Sequence, residues 1–264
     1  MPLGDPDGKI CSVQHLLDMI KRIVPGASRH AHIRWWFRGQ SKWGWPLHPG
    51  VYRDNFPVKN KADRLNVEQH LTQDFTVESA GLRRGDESNS ELYFLQQHYR
   101  MPTRLLDWTT SPLAALYFVV CDEPKDADGA LFVMDAYQLA NCQDLGGVDF
   151  KGIATSRGPI LKTALKPIFS WESAAVFPKF IFPVRPDHFE RRVGIQRSCF
   201  TFHVPQRSVL TKEANRTLQC LRVPKDKKAS LREELFRLGV DQFTVYGDLE
   251  RLARRLKLAY GVRA

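Results

Sequence analysis

An α+β fold with mixed, mainly antiparallel sheets follows from three features of the sequence. Helical periodicity dominates the residues before 121, strand-like runs dominate those after it, and helices return near the end. Segregation of this kind belongs to α+β architecture rather than to a wound parallel sheet, in which strand and helix alternate. No internal repeat and no long Pro/Gly/Ser-rich linker divides the 264 residues, which therefore read as a single domain. At 43% hydrophobic, with 6 Trp, 7 Tyr and 16 Phe, the chain can fill a core, and its composition excludes a disordered or low-complexity protein.

Each element has a local reason. Val13, Leu16, Leu17, Ile20 and Val24 share one face of a helix over 12–24, with Asp18, Lys21 and Arg22 opposite and Pro25-Gly26 as its stop. Ile33 to Phe37 is aromatic and β-branched, which predicts a strand running into Arg38-Gly39-Gln40. Trp43, Trp45, Pro46, Pro49, Gly50 and Pro57 make 41–57 an ordered loop whose tryptophans pack. Helices are predicted over 61–81 and 89–100 from their apolar spacing, and over 112–120 from Ser111 as N-cap with Pro112 behind it. The period then changes to strands over 130–134, 174–182, 193–204 and 218–223. Ser230-Leu231-Arg232-Glu233 reads as a capping box for a helix closed by Gly239, and a final helix from Asp248 turns Leu249, Leu252 and Leu256 inward.

Several function classes fall away. The longest apolar passage, 113–121, is far short of the ~18–20 residues of a membrane span. Acidic residues at 5 and 7 stand where a signal peptide carries positive charge, which points to a cytoplasmic protein with no membrane partner. Five cysteines without a C-x-x-C pair indicate neither a disulfide framework nor a cysteine zinc site, and His30 with His32 lacks further ligands, so no metal is expected. Phosphate-loop, dinucleotide-fingerprint, H-E-x-x-H and G-x-S-x-G patterns are absent. Lys+Arg exceed Asp+Glu by 39 to 29, a net charge of +10. A basic surface attracts nucleic acid, but these charges are scattered, which equally describes an ordinary solvated surface.

Two polar constellations set in apolar surroundings carry the chemistry. One is Phe37-Arg38-Gly39-Gln40. The other holds Glu91, Gln97-His98-Tyr99, Pro102-Thr103-Arg104-Leu105-Leu106-Asp107-Trp108-Thr109 and Ser111-Pro112. Buried Arg38, Arg104 and Asp107 would each cost several kcal/mol unless paired, so they form either an internal Arg–Asp network or a ligand site. These residues, together with Trp45-x-Leu47-x-Pro49, Arg53 and Ala115-Leu116-Tyr117-Phe118, resemble the FRG domain, named for its Phe-Arg-Gly signature. The likeness extends over nearly the whole chain, weakly at Ile195-Gln196 and Phe200-Thr201. It departs at Arg100 and at Ser198, where the family usually has glycine.

A more distant similarity is to the Arg–Ser–Glu class of ADP-ribosyltransferases, which implies helices and sheets packed around a central cleft that takes NAD as substrate. On that likeness Arg38 anchors the dinucleotide beside Gly39 and Gln40. Thr109 and Ser111 brace the ribose, Arg104 assists, His98 and Tyr99 stack on a base, and Asp107 or Glu91 supplies the carboxylate. The late-strand glutamate of the class falls on Gln196, and a glutamine cannot act as a base. Guanidinium forks suit phosphate oxygens, and a helix N-terminus favours negative charge beside them. The resemblance thus implies NAD-dependent ADP-ribosyl transfer to a macromolecular acceptor, or NAD cleavage, in an intracellular toxin or defence effector with a neutralising partner protein. Two other readings stay open: a non-catalytic nucleotide- or nucleic-acid-binding module, and a structural interaction domain.

Overall fold

The computed structural model describes residues 7–25, 31–121, 124, 126–141, 152–170, 177–187, 197–211, 216 and 218–262. The elements run β1 (Gly8–Lys9), α1 (Val13–Ile23), α2 (Ala31–Arg34), β2 (Trp35–Gln40), α3 (Lys61–Glu78), α4 (Asn89–His98), β3 (Leu105–Thr109), α5 (Pro112–Cys121), β4 (Gly129–Asp135) and α6 (Ala136–Asn141). They continue with β5 (Ala154–Thr155), α7 (Pro159–Phe169), β6 (Phe182–Arg185), β7 (Ser198–Phe202), β8 (Gln219–Val223), α8 (Lys228–Arg237), α9 (Gln242–Tyr246) and α10 (Leu249–Ala259).

The strands form one mixed sheet in the order β1-β8-β4-β2-β3-β7-β6-β5. Only the outermost pairs, β1 with β8 and β5 with β6, are parallel. The centre of this sheet is a seam. β2 and β4 are in register from Trp35↔Asp135 to Gln40↔Ala130, and β3 and β7 from Leu105↔Phe202 to Thr109↔Ser198. Between β2 and β3, by contrast, the only register pair is Phe37↔Thr109. Four strands therefore lie on each side of a junction that is scarcely laddered.

Packing follows strand alternation. Phe37 opposite Thr109 puts Phe37, Asp107 and Leu105 on one face, which two apolar clusters cover side by side. One gathers α1, α5 and α8 over β2, β4 and β8, and the other gathers Tyr93, Phe94, Leu161, Leu165 and Phe202 over β3, β6 and β7. Trp36, Trp108, Phe132 and Met134 fill the opposite face.

Local structure departs from the sequence expectation at six places. Ile33 is helical, and the strand begins two residues later: the Trp36 indole N–H donates to the Ile33 carbonyl at 2.8 Å and closes a helical turn before the chain extends. Trp45 remains 42% exposed while Trp43 packs against the Trp36 cluster. The predicted strand over 174–182 starts only at Phe182, with 174–176 outside the described residues, and the one predicted over 193–204 is paired over 198–202. The capping box at Ser230 does not form, because α8 begins a turn earlier: buried Lys228 donates to the carbonyls of Ser41 at 2.6 Å and Pro124 at 2.8 Å, and the Ser230 hydroxyl turns back to the Lys227 carbonyl. Asp248 does cap α10, but Leu249 and Leu256 point outward. Arg251 lies 4.0 Å from the Tyr246 ring centroid and Arg255 4.7 Å from that of Phe243, so cation–π contacts and the Arg255–Asp241 ion pair turn the arginine face inward.

Candidate functional site

A pocket of about 880 Å³ opens at the β2–β3 seam. Phe37, Arg38 and Gly39 of β2 and Asp107, Trp108 and Thr109 of β3 line it, with Ser198 and Phe200 of β7, the end of α4 and residues of the 50–57 segment. The Phe-Arg-Gly signature has a structural reason at each position. Phe37 is core. Gly39 lets α5 approach, since a Cβ there would lie 2.0 Å from the Ala115 carbonyl oxygen. Arg38 bridges the seam past the Phe37 pairing: its Nη1 donates to the Asp107 carbonyl at 2.7 Å and stands 4.0 Å from the Asp107 carboxylate.

Asp107 is held from the other side as well. The Gln97 amide Nε2 donates to its Oδ2 at 2.9 Å, and the buried Thr103 hydroxyl donates to Gln97 Oε1, which fixes the amide's orientation. Thr103 Oγ1 also accepts from the Leu105 N–H at 3.1 Å, so the relay is anchored to the strand that carries Asp107. The carboxylate itself is 56% exposed and is the only one among the described lining residues, against the guanidinium groups of Arg38, Arg53 and Arg100.

Beneath the floor runs a second relay. Trp108 Nε1 donates to Thr201 Oγ1 at 3.1 Å, Thr201 lies 2.9 Å from His203 Nε2, and His203 Nδ1 lies 3.0 Å from the Ser208 carbonyl. That carbonyl can only accept, so His203 carries its proton on Nδ1 and Nε2 accepts from Thr201. Complete burial pushes the His203 pKa down to about 3, so the ring is neutral.

Two described residues have left-handed backbone without being glycine: Arg197 at φ 48°, next to pocket-lining Ser198, and Arg100 at φ 62°, which lines the pocket itself. Arg100 terminates α4, where the Met101 N–H reaches back to the Gln96 carbonyl at 2.9 Å and that of Arg100 to Gln97 at 3.1 Å, a Schellman closure that favours glycine. The glycine expected from family resemblance at this position therefore has a conformational basis, and this chain places a cation there instead.

Of the predicted site residues, Arg38, Gly39, His98, Asp107 and Thr109 line the pocket. The others have different surroundings. Gln40 is buried at the end of β2 and does not line it. Glu91 forms the α4 capping box, accepting from the Ser88 N–H and hydroxyl at 2.9 Å each and from Arg84. The Ser88 N–H, foremost, holds its carboxyl below the usual range. Tyr99 is exposed, edge-on to His98. Ser111 Oγ accepts from the Ala114 N–H and caps α5, while Thr109 Oγ1 accepts from the Ser111 N–H. Arg104 is buried with Glu68 of α3, donating from Nε at 2.8 Å with Nη2 at 2.6 Å, while the Tyr93 hydroxyl joins Glu68 to the Arg104 N–H. Gln196 and His30 lie outside the described residues.

Gln97, Thr103 and Arg53 belong to the resemblance motif but had no assigned role there. Arg100 signalled itself only as a departure from glycine, and nothing in the sequence pointed to Glu68. The family model of the FRG domain matches residues 33–128, the segment from α2 to the threshold of β4 that supplies both seam strands and α4. No curated protein and no solved structure matches the chain.

Proposed function

We propose that the seam pocket binds NAD and that the protein cleaves its nicotinamide–ribose bond, passing the ADP-ribosyl group to a macromolecular acceptor or to water. The observation that carries this reading is Asp107: a half-exposed carboxylate, held by Gln97 and Arg38, in a pocket whose other permanently charged lining side chains are arginines. Breaking the glycosidic bond sends its electron pair to nicotinamide, which leaves neutral, and puts positive charge on the ribose. A fixed carboxylate stabilises that charge without reorganising. Phe118 and Met101, only partly buried, supply apolar surface for base and nicotinamide rings, and His98 a polar contact. The pocket lies within the size range of cofactor sites. Such an activity suits a toxin or defence effector acting on its own cell's NAD or on a rival's macromolecule.

The test is nicotinamide release from NAD, with and without cell extract as acceptor. Wild type is expected to release it, and Asp107→Asn to lose about 10²–10³-fold in kcat while NAD affinity stays within a few-fold. Wild-type protein that neither binds NAD in calorimetry nor releases nicotinamide overturns the proposal. NAD binding without release favours the non-catalytic nucleotide-binding module, for which the exposed Trp45 is a stacking surface.

A further inference from the structure

The arginine that family resemblance makes the phosphate anchor is already partly compensated. Arg38 faces the Asp107 carboxylate at 4.0 Å and donates to its carbonyl. The other two guanidinium groups of the pocket have no such partner: among the described residues Arg53 and Arg100 make no ion pair, and Arg53 Nε donates only at a long 3.4 Å to the His48 carbonyl. Both are exposed, and both line the pocket.

The two arginines stand on adjoining segments. A Cβ at Gly50 would lie 2.8 Å from Pro102 Cα, and the Val51 N–H donates to the Thr103 carbonyl at 3.3 Å. Arg53 follows that contact by two residues, and Arg100 precedes Pro102 by two. Arg100 also holds a backbone conformation that glycine would adopt without strain, so a cation has been placed at the pocket against local preference. Arginine forks match phosphate oxygens, and uncompensated ones set the anion potential of a cleft.

We propose that Arg53 and Arg100 form the phosphate subsite of this pocket, and that they hold the ligand's diphosphate while Arg38, Asp107 and Gln97 are left for its ribose end. The assignment rests on the nucleotide reading above and is tested apart from it. Calorimetry on the full chain compares inorganic pyrophosphate, ADP-ribose and the phosphate-free nicotinamide riboside as probes, with wild type, Arg100→Gly, Arg53→Gln and the double variant. Arg100→Gly keeps the fold, because glycine accepts φ 62° freely, and melting curves confirm it for each variant. Each single change is expected to weaken ADP-ribose and pyrophosphate binding about tenfold, and the double change close to a hundredfold, with nicotinamide riboside unaffected. A folded double variant that binds ADP-ribose within twofold of wild type overturns the subsite while leaving NAD binding standing. Pyrophosphate binding that depends on both arginines in a protein with no affinity for nicotinamide-bearing ligands upholds the subsite and removes the NAD reading. A wild type that binds neither pyrophosphate nor ADP-ribose removes both.

Discussion

Arg38 and Arg104 look alike in the sequence, each set among apolar residues, and they end in opposite surroundings. Arg104 is 1% exposed, as is Glu68, and its guanidinium also lies 4.0 Å from the Phe177 ring centroid and against Tyr52. Taking two charges out of water is repaid only by such complete pairing. Glu68→Gln therefore leaves a buried guanidinium without its counter-charge and is expected to cost about 3–5 kcal/mol, read as a shift in the urea midpoint. A loss below about 1 kcal/mol would show that the pair contributes little. The requirement that a buried arginine find a partner was legible in the sequence. The partner was not, because Glu68 sits 36 residues away on a helix whose spacing gives no sign of which polar residue turns inward. Asp107 was legible as a candidate carboxylate, whereas its fixation through Thr103 and Gln97 appears only once α4 and β3 are packed together.

At the scale of elements, the site depends on how closely α5 presses on β2 beside the open seam. Gly39 has no room for a side chain, with Ala115 O at 2.0 Å and Val119 Cγ2 at 2.9 Å from a notional Cβ, whereas a Cβ at Gly81 would meet nothing within 4 Å. Gly39→Ala is expected to displace α5 and destabilise the fold by roughly 3 kcal/mol or more, against a change within about 0.5 kcal/mol for Gly81→Ala in the same denaturation assay. Equal effects would mean that the glycine serves the ligand rather than the packing. Periodicity located α1, α3, α4 and α5 to within a few residues, because each has caps or an apolar stripe. It passed over α6, α7 and α9. For α10 it found the stripe and assigned it the wrong direction, since amphipathicity does not say which face is covered, and here aromatic rings recruit the arginines. The seam itself joins strands some 70 residues apart in one register pair, a long-range pairing that no local pattern encodes.

The whole molecule should weaken in mild acid, for a reason that sits under the pocket. His203 titrates near 3 when folded and near 6.5 when unfolded. Between those values the unfolded chain holds a proton that the native state lacks, so stability rises with pH across this window and is lost as pH falls through it. The slope for one such group is about 1.4 kcal/mol per pH unit. His48, pushed down by burial, acts in the same direction. Glu91 and Asp128, both held below the ordinary carboxylate range, add their losses only under more acidic conditions. Between pH 6 and 5, then, the histidines dominate, and they add charge to a chain already at +10. Wild type is expected to lose about 1–2 kcal/mol over that unit in denaturant titrations. His203→Gln, able to keep a contact to Thr201, is expected to flatten most of the slope at some cost at pH 7. A wild-type curve that is level from pH 7 to 5 would show that the ring titrates normally and is open to water. Thr201 also receives the N–H of pocket-lining Trp108, and the acceptor on which its hydroxyl depends is lost only where the folded protein's His203 takes up a proton, near pH 3. Between pH 6 and 5 the native ring therefore stays neutral, and ligand affinity of the folded protein should hold while stability falls; affinity that drops in step with stability would show that His203 titrates in the native state.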